Sequence, residues 1–199
     1  MFVKQENLVY IIVALLVGIL GGFLIFSISN KNKTAAAPAM PMGSGSPADY
    51  SQRIIEAEKI VAKDPKNYQV WVQLGNDYFD TEQPQKAVNA YDKALEIDSA
   101  NQGTPNILTD QGVMYRKMGL FDKAIANFEK ANKLNPAHAQ SLFNLGVVYA
   151  NDLKQPDKAI AAWTRYLAID GMSPQGQQVK AMVEELKAGG GPPKTGSWK

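Results

Sequence analysis

Apolar residues follow two different patterns along this chain. From Leu8 to Ile28 they run almost without interruption and without a single charge. From about residue 48 to residue 188 they recur instead at helical spacing, separated by polar and charged positions. The first pattern predicts a helix apolar on every side; the second predicts a series of amphipathic helices that need one another to bury a face. Between the two lies Thr-Ala-Ala-Ala-Pro-Ala-Met-Pro-Met-Gly-Ser-Gly-Ser-Pro, residues 34–47, where no apolar period exists.

The front segment has the dimensions of a membrane span. Its 21 residues make a helix of about 31 Å at about 1.5 Å per residue, against a bilayer core of roughly 30 Å. Lys4 and Glu6 precede it, and Lys31 and Lys33 follow it. A cleaved signal peptide is the competing reading. Its apolar core is typically about 7–15 residues long, and Ala35-Ala36-Ala37 stands too far beyond the apolar run to serve as its cleavage site. The expectation is therefore an uncleaved anchor within residues 1–30, a flexible Ala/Pro/Gly/Ser tether over 31–47, a folded domain over 48–188 and a disordered tail over 189–199. The flanking lysines slightly favour a cytoplasmic carboxyl-terminal side. The very short tail ahead of the span fits export, and export is the expectation: a single-pass inner-membrane protein with its domain in the periplasm. Gly18-x-x-x-Gly22 would let a second helix approach closely, so a homo-oligomer is consistent with the sequence.

Across the folded region a single pattern occurs three times at a spacing near 34 residues. It reads Trp71…Leu74-Gly75…Tyr78…Ala87…Tyr91…Ala94, then Leu108…Gly112…Tyr115…Ala124…Phe128…Ala131…Pro136, then Leu142…Leu145-Gly146…Tyr149…Ala159…Trp163. Trp71, Leu74, Gly75 and Tyr78 share one face of one helix, and Ala87, Tyr91 and Ala94 share a face of the next. Small residues opposite large ones predict close helix pairs, with Gly75 and Ala87 leaving room for aromatic rings. A repeat of this length marks a stacked array that buries its faces between neighbours. Asp122-Lys123-Ala124-Ile125 and Asp157-Lys158-Ala159-Ile160 support the register, as does Gln85-Lys86-Ala87-Val88.

These residues resemble the tetratricopeptide repeat family, whose unit is a helix-turn-helix of 34 residues. The units fall at about 68–101, 105–138 and 139–173. The middle one matches best, departing at Gln111, where the family prefers Leu. The first has Glu82 for the turn Gly and Ser99 for the terminal Pro. The third carries one extra residue, expected in its inner turn, and Tyr166 in place of Ala. Two flanking helices complete the stack. One opens at Ser46-Pro47 and stops before Asp64-Pro65, an ending like Asn135-Pro136. The other opens at Ser173-Pro174 and stops at Gly189. The fold class implied is all-α: an anchor helix, then a helix-turn-helix solenoid with capping helices.

The resemblance also implies a binding surface, since the first helix of each family unit lines a concave face. Register places Gln69, Val72, Asn76, Phe79 and Asp80 there in the first unit. The second contributes Asn106, Thr109, Val113, Arg116 and Lys117, and the third Gln140, Phe143, Val147, Ala150 and Asn151. Family members that clamp a peptide's terminal carboxylate use basic residues with asparagines. Here Asn76 is in place, but Val72 stands where a clamp lysine would be, and Gln140 and Asn144 replace other basic residues. Phe79, Val113, Phe143 and Val147 suit an apolar segment instead, with Arg116 and Lys117 at an edge. Phe143 is the expected aromatic anchor and Phe128 a core residue.

Composition narrows the chemistry. The formal charge of +2 is spread without a basic block, which argues against a nucleic-acid partner. The absence of cysteine excludes disulfides and thiolate chemistry, and a single histidine, His138, argues against metal sites and paired-histidine catalysis. No phosphate loop, dinucleotide fingerprint or nucleophile elbow is present. Asp49, Glu56, Glu58, Glu184 and Glu185 read as solvated helix faces. The expectation is no enzyme and no cofactor, but a membrane-tethered scaffold that binds a protein or peptide partner. The layout resembles envelope assembly factors, including repeat segments used in cytochrome c maturation. The alternatives are a self-associating organiser of the membrane and an accessory subunit of a membrane enzyme.

Overall fold

The structure, a computed structural model, describes residues 46–189. The expected anchor (residues 8–28), the tether up to residue 45 and the tail from residue 190 lie outside the described residues. Among the described residues no helix is long and apolar enough to cross a membrane.

The chain alternates helices and tight turns: α1 Pro47–Lys63, α2 Tyr68–Asp80, α3 Pro84–Ile97, α4 Thr104–Lys117, α5 Phe121–Leu134, α6 Ala139–Val147, a π-helical turn Val148–Asp152, α7 Pro156–Asp170 and α8 Pro174–Lys187. Starts are set locally. Ser46 accepts from the Asp49 N–H while the Asp49 carboxylate accepts from the Ser46 N–H at 2.7 Å, a reciprocal cap. Those bonds, the side chain's first, hold Asp49 below the usual carboxylate range. Asn67 and Ser173 cap α2 and α8, and Pro84, Pro105, Pro156 and Pro174 lie in first turns where no amide donor is needed. The loops after α1 and α5 are built alike. Asp64 O accepts from Asn67 N at 3.2 Å, and Asn135 O accepts from His138 N at 2.9 Å. In its ending, then, α1 behaves as the second helix of a unit.

The three pairs α2–α3, α4–α5 and α6–α7 pack closely, and each second helix meets the first helix of the following pair. First helices also touch one another along the stack, α2 to α4 and α4 to α6. The first helices thus form the inner layer of a curved solenoid, and α1 and α8 cover its two ends.

The same contact closes every pair. A Cβ at Gly75 would run into the Tyr91 ring, one at Gly112 would stand 2.6 Å from Phe128, and one at Gly146 would run into the Trp163 ring. Each aromatic is fully buried. A glycine on the first helix lets a ring of the second lie against its backbone, the close approach that the small–large pattern predicts. The lysine in each local string also has a place. Lys86 lies over the Tyr78 ring, Lys123 over Tyr115 and Lys158 over Tyr149, with nitrogens 5.2, 5.4 and 5.3 Å from the ring centres.

Departures from the repeat are absorbed without breaking it. Gln111 is buried, but its amide donates to Asp92 at 2.7 Å and to Val88 O at 3.3 Å, and its oxygen accepts from Asn127 at 2.7 Å. A polar group in place of Leu is thereby satisfied. Tyr166 is buried, its hydroxyl donating to Asp170 at 2.8 Å and its ring lying 5.9 Å from that of Phe143. Gly119 closes its turn at φ 74°, while Glu82 and Lys154 take φ 55° at the equivalent turns without being glycine. The extra residue of the third unit does not enlarge the inner turn, as the spacing predicts. It is taken up inside the first helix, whose last turn widens to a π-turn over Val148–Asp152.

Candidate protein-binding site

The inner face is not uniform from end to end. Over α2 and α4 it is open. Val72, Phe79 and Val113 are half-buried, with part of each side chain packed on the core and part accessible. Asn76 is half-buried and accepts from the Tyr91 hydroxyl at 2.9 Å. Burial, with Asp110 and Asp80 nearby, raises that hydroxyl far above its ordinary pKa, so it stays a donor and fixes the Asn76 amide. Gln69 and Asp80 are exposed.

Over α6 the face is closed. Phe143 is 5% exposed and Val147 7% exposed, and both belong to one buried cluster with Val179, Met182, Val183 and Leu186 of α8. Phe143 is therefore a core residue in this structure and not an accessible anchor. Thr109 is likewise buried, its hydroxyl donating to Pro105 O at 2.8 Å within its own helix. Gln140 remains exposed, its amide 3.5 Å from Asn144. Ala150 is buried as well. The capping helix does this: it covers the apolar end of the array and in doing so fills the last stretch of the groove.

The basic edge is also occupied. Arg116 holds Asp152 through two bonds, at 2.5 and 3.2 Å, both side chains partly buried. Lys117 donates to Glu82 at 3.1 Å on the surface. Arg116 would have to give up Asp152 to receive a carboxylate from a partner, whereas the exposed Lys117–Glu82 pair is a weak one.

Asp152 reaches this position because of the π-turn. The Lys–Tyr contacts fix Tyr149 as the equivalent of Tyr78 and Tyr115, and Lys154 is the equivalent of Glu82 and Gly119. An extra residue is inserted between, within the π-turn, and Asp152 at the end of that turn reaches Arg116.

One further group escaped the register reading. Asp110 lies mid-helix in α4, half-buried, and desolvation followed by the charge of Asp80 pushes its carboxyl up to about 6. Asp80 accepts from the Tyr50 hydroxyl at 3.1 Å. Among the described residues no lysine or arginine pairs with either carboxylate. No local signal in the sequence marks it, because its burial depends on the packing of α4 in the stack. By contrast, Asp77 is buried and paired with Arg53, and Glu58 accepts from the Tyr78 hydroxyl and so is not merely a solvated residue.

His138 caps α6. Its Nδ1 accepts from Ser141 N at 3.3 Å, so Nε2 carries the proton and donates to Asn106 at 2.8 Å. Burial lowers its pKa, in keeping with a neutral cap. Among the described residues no group of acidic or histidine side chains could hold a metal ion. A separate cleft of about 640 Å³ opens between α1, α2 and α3, floored by Val61, Trp71, Leu74 and Tyr78.

Family profiles described as tetratricopeptide repeat match residues 68–135 and 109–176, together more than half of the sequence. The chain belongs to the tetratricopeptide repeat family. It is 36% identical over 104 residues to a TPR repeat-containing protein of Methanocaldococcus jannaschii, covering 51% of this chain and 30% of that protein. It is 34% identical over 98 residues to tetratricopeptide repeat protein 14 of Mus musculus, covering 48% of this chain and 12% of that protein. The chain thus spans under a third of the length of these relatives, and the likeness is to their repeats. Among solved structures, MamA aligns over 71% of this chain and 80% of its own, with TM-score 0.63 at 24% identity. The first TPR domain of Spaghetti (RPAP3), bound to the HSP90 peptide SRMEEVD, aligns over 61% of this chain and 93% of its own, with TM-score 0.54 at 20% identity. At these identities the structures share the fold.

Proposed function

We propose that this protein is a membrane-tethered adaptor that captures a segment of a partner protein on the inner face formed by α2 and α4. The observation that carries this reading is the open end of that face, where Val72, Phe79 and Val113 remain partly accessible beside the oriented amide of Asn76. Repeat arrays of this kind work by presenting such a surface, and the RPAP3 domain of the same fold holds an HSP90 peptide. The ligand class differs here, because Arg116 and Lys117 are engaged internally and Val72 is apolar. An apolar segment fits better than a free carboxyl terminus.

The tether is the apolar run Leu8–Ile28, with the repeat domain on the exported side. A role in assembling envelope complexes, such as cytochrome c maturation, is what this layout resembles. Two measurements test the tether. An intact mass beginning near residue 38 or 47 would remove the anchor, and protection of the array in protease-treated spheroplasts would reverse its orientation. Co-purification of the full chain in mild detergent tests the adaptor role: a distinct client is expected, and a stoichiometric membrane enzyme would make the protein an accessory subunit. Self-association is favoured by Gly18 and Gly22; recovery of the chain alone as a multimer lost in Gly18→Leu would support that second reading.

A further inference from the structure

We propose that the edge of the stack where the second helices end rests on an anionic lipid bilayer, with Ile97, Leu134, Ile169 and Met172 inserted at its surface and Lys63, Lys66 and Lys133 facing the headgroups. The inference rests on the reading of the chain as membrane-tethered and adds which face of the domain meets the membrane. Short turns join the helices, so neighbours run antiparallel, and α1, α3, α5 and α7 all end at one edge. Ile97, Leu134 and Ile169 stand three positions beyond Ala94, Ala131 and Tyr166, the same place in each unit. They are 37%, 52% and 41% exposed, and Met172, in the turn after α7, is 92% exposed. Among the described residues two other large apolar side chains are exposed, Ile55 on the flank of α1 and Leu120 at the opposite edge. Apolar exposure is thus gathered on one edge. Beside Ile169 and Met172 a cleft of about 510 Å³ opens between α7 and α8, lined also by Leu167, Ala168 and Val183.

Shape and charge favour a bilayer as what covers this edge. One apolar side chain per unit makes a narrow file. A protein interface needs a broad patch, about 800 Å² on each partner, whereas fluid lipid closes around a ridge. Lys133 precedes Leu134, and Lys63 and Lys66 flank the equivalent turn after α1; all three are exposed. The acids of the edge are turned to their own loops. Asp64 accepts from Lys66 N, Asp98 from Ala100 N and the Asn101 amide, and Asp170 from the hydroxyls of Tyr166 and Ser173. Exposed lysines beside carboxylates held in this way present a positive field to phosphate headgroups. A second copy fits less well, because setting Leu134 against Leu134 across a two-fold axis brings Lys133 towards Lys133. The chain is long enough for the arrangement. Seventeen residues separate Ile28 from Ser46, at most about 60 Å when extended, and α1 is about 26 Å long. A domain entered at the start of α1 can therefore lay its far edge on the bilayer.

The sequence contains no cysteine, so single labels are unambiguous. The full chain, carrying an environment-sensitive fluorophore at Leu134→Cys, Met172→Cys, Gln85→Cys or Ser29→Cys, is reconstituted into vesicles of phosphatidylcholine and phosphatidylglycerol in equal parts. Gln85 is exposed in the first turn of α3, at the opposite edge, and Ser29 adjoins the apolar run. Emission from positions 134 and 172 is expected to blue-shift and to be quenched by a nitroxide lipid, while that from position 85 is not. Both effects should weaken in high salt and in the triple variant Lys63→Glu, Lys66→Glu, Lys133→Glu, whose fold circular dichroism verifies. Quenching at position 29 alone would overturn the edge contact and leave the tether standing. Quenching at none of the four would overturn the tether and this inference with it. Quenching at position 85 equal to that at 134 and 172 would overturn the choice of edge. A blue shift at 134 and 172 that grows with protein concentration and is not quenched by lipid would give the edge to a second copy and overturn the bilayer. Quenching indifferent to both salt and the triple variant would overturn the part assigned to anionic headgroups.

Discussion

Gly112→Leu tests the contact on which the whole array is built. A Cβ placed on Gly112 stands 2.6 Å from Phe128 Cε1, 2.9 Å from Cδ1 and 3.0 Å from Cζ. Carbon–carbon contacts are optimal near 3.5–4.0 Å, so even the first added carbon forces the ring back by roughly 1 Å. Phe128 has no room to retreat, being fully buried among Ala124, Leu145, Val148 and Ala162. Overpacking of this kind costs about 1–3 kcal/mol or more. Replacing glycine inside a helix returns about 0.8–1 kcal/mol of propensity. Leucine brings three more carbons to the same crossing, so the steric loss dominates and a net loss of about 1–3 kcal/mol is expected. For a domain of this size that lowers Tm by roughly 2–4 °C per kcal/mol. The assay is thermal unfolding followed by circular dichroism, with Lys130→Ala as the exposed control. Combining Gly112→Leu with Phe128→Leu should recover some of the loss, a coupling of about 1 kcal/mol, because the two residues share one space. An unchanged Tm for Gly112→Leu, or strict additivity in the cycle, would refute the packing argument.

Phe143→Ser is expected to unfold the carboxyl-terminal end of the array, at a cost of about 3–5 kcal/mol, rather than to remove binding selectively; a folded variant with normal Tm would contradict its burial. Asp110→Asn should stabilise the domain at pH 7.5 by roughly 1–3 kcal/mol. The wild-type carboxyl binds its proton more tightly folded than unfolded, so its stabilising contribution is complete below about pH 4 and lost as pH rises through about 6. Denaturant titrations at pH 4 and 7.5 should therefore show the gap between variant and wild type closing at low pH. Lys154→Gly should raise stability by about 0.5–1 kcal/mol in the same assay, because a left-handed φ is strained for lysine and not for glycine. Arg53→Ala should cost about 3–5 kcal/mol by leaving the buried Asp77 carboxylate without its partner.

The architecture was legible because the repeat glycines and aromatics encode it directly. A glycine at 75, 112 and 146, each with a large ring sixteen or seventeen positions on, is a packing contact written in sequence. Helix starts at Ser46 and Ser173 were legible for the same reason: the capping atoms lie within three residues of the cap. The site was harder to read. Register places Phe143 and Val147 on the inner face, but burial depends on α8, some 32 to 43 positions further along, and no local pattern in α6 reports what covers it. Arg116 and Lys117 looked free because their partners, Asp152 and Glu82, lie about 35 positions distant in opposite directions. Asp110 is not legible in the sequence because a mid-helix acid reads as solvated, and its burial, the main cause of its raised carboxyl pKa, arises only when α4 is packed in the stack.

The π-turn at Val148–Asp152 makes the third unit editable in a way the others are not. A one-residue insertion in a helix ordinarily rotates everything beyond it by about 100°, which would swing a whole solenoid out of line. Here the wider turn contains the rotation: Trp163 still packs on Gly146 and Lys158 still covers Tyr149, while only the last inner positions change hands. Asp152 gains its hold on Arg116 through that local change. Deleting a single codon from this stretch would hand the face a different pair of side chains on an unaltered scaffold. Specificity in such an array can thus be rewritten by length as well as by letter.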